Sequence, residues 1–254
     1  LSSGIWGGIS AGPVVGHWLG SFERAAIMQV AAAAIAFALL TRIPEEYRPD
    51  STARRRAWIP AGLIPPGLAI GLVNVQYPVI TGFLILHLAR HGGSGPAAFS
   101  AYAGVVLLSR FFLGGLPDRV APAVTYYGGL VAMAAGLTII GMGPSPAMAI
   151  LSTGLLGFGF SFPWSSVASS VIKQTPERDR GSAVGVLSAF CDLFVGLSSF
   201  AAGSVANRFG YPAAFFMAAA AIGAAAVAGR YVFPAAESDP GGGMGETECL
   251  ETTA

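Results

Sequence analysis

Long apolar runs, separated by short polar or proline-marked breaks, dominate the chain. Eight can be drawn, roughly over 3–20, 22–41, 59–88, 97–117, 120–143, 146–172, 181–206 and 212–233. Within each run apolar residues fall on every side of a helical projection. They do not alternate with polar ones, so the strands of a membrane barrel are excluded. A bilayer core about 30 Å thick needs about 20 apolar residues per helix, and only helices or closed barrels satisfy their backbone there. The pattern predicts an all-α, polytopic membrane protein with eight transmembrane helices. The third and sixth runs are longer than a crossing needs, which predicts tilt or kinks. Pro60, Pro65, Pro66 and Pro78 fall in the third, Pro146 and Pro163 in the sixth. Each proline removes a backbone donor and bends its helix, and neighbouring helices absorb the bend.

Composition narrows the class. Of 254 residues, 54% are hydrophobic and 11% charged, against about 25% charged in an ordinary soluble domain. That is too few charges for a water-facing surface and too much apolar content for disorder. A net charge of +1 offers no basic patch for nucleic acid. Two cysteines make neither a disulfide framework nor a zinc site, and His17, His87 and His91 are too scattered for a metal motif. No nucleophile triad, phosphate-binding glycine loop or carboxylate cluster is present, so an enzyme and a bound cofactor are not expected. The lipid bilayer is the expected partner; the sequence leaves the oligomeric state open.

One charged, proline-broken linker spans 42–58, and an acidic, polar, glycine-rich tail over 234–254 reads as disordered. With the linker on the cytoplasmic side, Arg42, Arg48, Arg54, Arg55, Arg56, Arg119, Lys173, Arg178, Arg180 and Arg230 share that side. Only Arg24, Arg90 and Arg208 fall on the other. Ten against three sets the orientation, with linker and tail in the cytoplasm. The first run begins with Leu1, with no basic flank or cleavage site before it, and reads as a chain entered partway through.

Three stretches carry a resemblance. Gly8-Ile-Ser-Ala-Gly12-Pro13-Val-Val-Gly16-His17 resembles the Gly-x-x-x-Gly-Pro-x-x-Gly-Gly motif in the fifth helix of major facilitator efflux proteins, with His17 in place of the last glycine. Small residues at this spacing let helix backbones approach closely, so generic packing by Gly8, Gly12, Pro13 and Gly16 is the other reading. Arg110-Phe-Phe-Leu-Gly114-Gly-Leu-Pro-Asp118-Arg119 looks like the Gly-x-x-x-Asp-Arg signature of the major facilitator loops. An Asp at such a junction can cap a helix and pair with an Arg; the plainer reading is a charged turn. The run from Pro176-Glu-Arg178-Asp-Arg180-Gly181 through Asp192 to Tyr211, with Gly157-Phe-Gly-Phe-Ser-Phe-Pro-Trp164 upstream, is similar to helices ten to twelve of arabinose-efflux-like bacterial permeases.

The resemblance registers the chain as helices five to twelve of a twelve-helix fold. Residues 1–41 become the last two helices of the N-terminal half, 42–58 the central cytoplasmic loop, and 59–233 the complete C-terminal six-helix half. It implies a transporter in the inner (plasma) membrane that moves a small organic molecule, a sugar or drug-like compound, by alternating access, driven by the proton gradient. Asp118 and Arg119, with Arg110 and Gly114, take the place of a cytoplasmic gate. Two other readings stand beside efflux: an uptake symporter for a small metabolite, and a truncated chain without transport, since four helices of the fold are missing.

Polar groups inside the spans complete the candidates. A charge at the bilayer centre costs about 2.5–3.5 kcal/mol on insertion scales, so Asp192 is a candidate for proton coupling or substrate binding. It lies roughly 16 Å along its helix, near the midplane; a structural hydrogen bond to a neighbouring helix is the alternative. Arg110 can pair with Asp118 or Asp192, or snorkel. Asn74, Tyr77 and Thr81 share one face of the third helix and can point into a cavity together, while Gln76 lies about 100° or more away and contacts another helix. Ser161 and Trp164 sit beside the Pro163 bend as a further substrate wall, with Trp164 as an interfacial anchor the alternative.

Overall fold

The computed structural model describes residues 18–42, 61–114 and 119–233. The helices are α1 (Phe22–Leu40), α2 (Ile64–Asn74), α3 (Gln76–Ala89), α4 (Gly95–Leu113), α5 (Pro122–Gly141), α6 (Pro146–Phe160), α7 (Pro163–Gln174), α8 (Arg180–Phe209) and α9 (Tyr211–Gly229), with 3-10 turns at Ala61–Leu63 and Glu177–Asp179. No strand occurs among the described residues. The first expected helix lies mostly outside them. The second is α1, and the remaining six runs are the six helical stretches that are long and apolar enough to cross a membrane.

Local chemistry explains where the helices begin. Ser21 and Ser94 lend side-chain oxygens to the N–H groups of Arg24 and Ala97 at the starts of α1 and α4. Prolines occupy the first or second position of α4, α5, α6 and α9, where the missing N–H has no partner to lose. Gly210, at φ +85°, makes the abrupt joint between α8 and α9.

The two longest runs are broken, as their prolines predict. Span 64–89 divides into α2 and α3 at Val75. Pro78 has no N–H for the Asn74 carbonyl, and the Val75 N–H bonds three residues back to Leu72 (3.3 Å). Span 146–174 divides into α6 and α7, where Pro163 has no N–H for Gly159 and the Ser161 N–H bonds to Phe158 (3.2 Å).

Packing reveals an internal repeat. The six spans form two triplets, the first ending with α5 and the second starting with α6. The broken first span of each packs against both later spans of the other: α2 on α8 and α9, α6 on α4 and α5. The third spans, α5 and α9, pack on each other. Three crossings per triplet turn the second upside down relative to the first, the arrangement of an inverted repeat. The contacts fix which ends go together. Arg90 lies 4.4 Å from the Tyr211 ring centroid at one end, and the Tyr126 hydroxyl donates to the Ala225 carbonyl (2.8 Å) at the other.

Glycines set how closely these helices approach. A Cβ on Gly159 would stand 2.5 Å from the Gly129 carbonyl oxygen, and one on Gly129 2.7 Å from that of Gly159. On the other side, Cβ atoms at Gly67 and Gly71 would strike the rings of Phe190 and Phe194. The small residues thus pull α5 onto α6 and seat two phenylalanines of α8 on α2.

Candidate functional site

The two breaks bring polar side chains to the middle of the six-helix unit, and α2 and α7 pack against each other there. At the first break Asn74 is half-buried. Its amide donates to the Ile70 carbonyl (2.8 Å) and reaches Cys191 Sγ on α8 (3.3 Å). Gln76, fully buried, turns the other way and places its amide nitrogen 3.2 Å from the Tyr102 hydroxyl on α4. The break therefore feeds two separate interhelical contacts, one toward α8 and one toward α4. Tyr77 is half-buried. Thr81 is exposed and donates to the Tyr77 carbonyl one turn back (3.0 Å).

At the second break Ser161 is buried and donates to the Gly157 carbonyl (2.9 Å). Ser165 and Ser166 both donate to Phe162 (2.9 and 3.0 Å). Ser166 also bonds Thr125 of α5 (2.8 Å), a link across the bundle not foreseen from the sequence. The sequence offers Thr125 on one helix and four serines, Ser165, Ser166, Ser169 and Ser170, on the other, with nothing to pair them. Trp164 is half-buried against the core.

The expected inward face of Asn74, Tyr77 and Thr81 is divided by the structure. The helix breaks at Val75, so Asn74 belongs to α2 while Tyr77 and Thr81 belong to α3, and only the first two are partly covered. Gln76 contacts another helix, as its angular position predicts.

Asp192 lies on the exposed side of α8. Phe190 and Phe194 dock on the glycines of α2, and a residue two positions from each is turned through about 200°, away from that seam. The carboxylate has no ion-pair or hydrogen-bond partner among the described residues. The alternative of a buried structural hydrogen bond thus finds no donor among the described residues. Leu193, Leu197 and Phe200 are exposed beside it. Arg110 is half-buried on α4, which packs on α3 and α6, whereas α8 packs on α2, α3, α7 and α9. Of the alternatives for Arg110, the pair with Asp192 is therefore not formed, because their helices lie on different sides of the bundle.

Gly114 follows α4, where a Cβ would strike the Arg110 carbonyl oxygen. Arg119 is exposed. Asp118 lies outside the described residues, as do Gly8, Gly12, Pro13 and Gly16.

Six apolar spans in inverted triplets, with polar residues gathered at two broken helices, define a polytopic membrane protein of the transporter class. The chain belongs to the major facilitator superfamily: residues 67–248 match the family described as Major Facilitator Superfamily. An uncharacterized MFS-type transporter of Salmonella typhimurium is 30% identical over 156 residues, 61% of this chain and 40% of that protein. Uncharacterized MFS-type transporters of Burkholderia mallei (strain SAVP1) and Burkholderia pseudomallei (strain K96243) are each 29% identical over 167 residues, 63% of this chain and 39% of theirs. The chain spans about two fifths of the length of these relatives.

Proposed function

We propose that this chain supplies the moving C-terminal half of a transporter that exports a small organic molecule, sugar or drug-like, by alternating access in the inner membrane. The observation that carries the reading is the pair of proline-broken helices. They occupy equivalent places in two inverted triplets and meet through α2 and α7. Discontinuous helices expose backbone and side-chain polar groups at mid-membrane depth only where protein or a water-filled cavity receives them. Asn74, Tyr77, Ser161 and Trp164 are the proposed substrate contacts, with Thr81 one turn further along. Asp192 is the proposed proton-carrying group, on the face of α8 turned away from its own bundle. Asp118, Arg119, Arg110 and Gly114 form the proposed cytoplasmic gate, and the Gly8–Gly16 stretch the packing face of a helix of the first half. Linker and tail are cytoplasmic in this reading.

The test is proton flux in inverted membrane vesicles carrying the protein, followed with a pH-gradient dye while sugars and amphiphilic cations are added in turn. Export coupled to protons predicts that a substrate dissipates the gradient and that Asp192→Asn abolishes this while substrate still binds. Dissipation that is undiminished in Asp192→Asn removes Asp192 from the mechanism. Accumulation only in right-side-out vesicles reverses the direction.

A further inference from the structure

At the end of the bundle where α3 ends and α9 begins, two histidines not used above form a cluster that joins three helices. His87 is 1% exposed near the end of α3, and its Nε2 lies 2.8 Å from the Ile140 carbonyl oxygen of α5. Its ring packs against Phe215 of α9, with centroids 5.1 Å apart. His91, one turn on, stands 4.7 Å away ring to ring, and its Nδ1 lies 3.0 Å from the His87 carbonyl. A Cβ on Gly143 would press on His91 Nε2. Arg90 covers Tyr211, and Phe83 stacks on the same ring at 5.6 Å.

The Ile140 contact fixes where one hydrogen of His87 sits. A carbonyl oxygen only accepts, so Nε2 carries the hydrogen and Nδ1 of the neutral ring is bare. That Nδ1 is buried with no hydrogen-bond partner. A proton added there would create a buried donor without an acceptor and a buried charge without a counter-ion. Arg90, at the end of the same helix, is itself a cation. The elements packed around it supply no remedy. From α9 the ionisable neighbour is Tyr211. From α8, Arg208 stands at this end and Asp192 near mid-helix. On α4, Tyr102 and Arg110 lie about two turns or more further in, and on α5, Tyr126 and Tyr127 sit at the opposite end. The other described carboxylates are Glu23 on α1 and Glu177 and Asp179 in the turn before α8.

We propose that His87, backed by His91, is a proton-operated latch: neutral, it ties α3 to α5 and α9, and on protonation it releases that end of the bundle. The latch rests on this cluster alone and on no substrate or direction of transport. Its sign is set by the geometry, tied at neutral pH and released as pH falls through the histidine's titration.

Hydrogen–deuterium exchange of the whole chain in lipid nanodiscs tests it. After correction for intrinsic exchange, backbone amides over 86–95 and 139–146 should exchange about fivefold faster or more at about pH 5.5 than at about pH 7.5. His87→Gln keeps an amide donor for Ile140 but cannot be protonated, so it should lose that rise, whereas His91→Gln should retain it. No rise in the wild type, or a rise undiminished in His87→Gln, overturns the latch. Imidazole 15N spectra of the wild type give a second reading that needs no variant. A neutral Nε2–H ring for His87 near pH 7.5 supports the proposal, and an Nδ1–H or charged ring overturns it.

Discussion

Gly159→Ala will loosen the seam between α5 and α6. The new methyl would stand 2.5 Å from the Gly129 carbonyl oxygen and 2.9 Å from the backbone nitrogen and Cγ of Met133. Ordinary contact begins at 3.4 Å, so the shortfall is about 0.9 Å. The obstructing oxygen and nitrogen are backbone, so no side-chain rotation relieves them and the helices themselves must part. If about 20–30 atom pairs along the seam each lose a third to a half of a well 0.1–0.2 kcal/mol deep, the cost is about 1–3 kcal/mol, the usual range for an overpacked interior. Better helix propensity of alanine offsets at most about 1 kcal/mol of this. Gly154→Ala, on the same helix, is the matched control, because its methyl would meet only Val105 Cγ2 at 3.7 Å. Reversible unfolding by SDS titration in mixed micelles compares the two. Gly159→Ala should unfold at lower SDS than wild type and Gly154→Ala at equal or higher SDS. If the two variants unfold together, the close backbone approach is not what sets the spacing of α5 and α6.

Tyr126→Phe removes the hydroxyl that donates to the Ala225 carbonyl and should cost about 0.6–1.7 kcal/mol in the same titration, the range of interhelical hydrogen bonds in membranes. Gln76→Leu exchanges one contact to Tyr102, and an amide oxygen buried without a partner, for apolar packing. Its stability should stay within about 1 kcal/mol of wild type, and a larger loss would mean that the amide oxygen is bonded after all. Asp192→Asn should leave the unfolding midpoint unchanged while abolishing substrate-driven proton flux. A fall in both would place Asp192 in the fold rather than the transport step.

Much of the architecture is legible in the amino-acid order, because membrane spans are long, uniformly apolar and punctuated. Pro78 and Pro163 announce both broken helices, and the arginine asymmetry separates the two ends. Rotation about each helix axis is harder to read. A span that is apolar on every side has no polar stripe to say which face turns inward, and in lipid no hydrophobic drive sorts the faces. Shape decides instead: Phe190 and Phe194 find Gly67 and Gly71, and that fit sends Asp192 outward and Cys191 toward Asn74. Nothing in the spacing around residue 192 distinguishes this from the opposite rotation. The Gly129–Gly159 crossing is invisible for a related reason, since 35 glycines offer many four-residue spacings and only the tertiary contact selects one. Thr125 and Ser166 carry no pairing signal either, and only the bundle brings the two hydroxyls together.

The distribution of stiff and soft joints bears on how such a unit could work. Where α5 meets α6, backbone touches backbone across reciprocal glycines, and a displacement there moves both helices together. At Val75 and Ser161 the ladder is reduced to three-residue bonds, and a proline downstream removes one donor altogether. At the second break the Ser161 hydroxyl takes the Gly157 carbonyl that its own N–H leaves, and at the first the polar side chains stay inside the bundle, Asn74 on Ile70 and Cys191 and Gln76 on Tyr102. A joint of that kind can bend without stranding a polar group in lipid, which is the condition any moving part of a membrane protein must meet. The same two joints carry the polar side chains of the proposed site. In the proposed mechanism, bending at them and rearrangement of the substrate contacts would be a single event, with the glycine seam keeping α5 and α6 together.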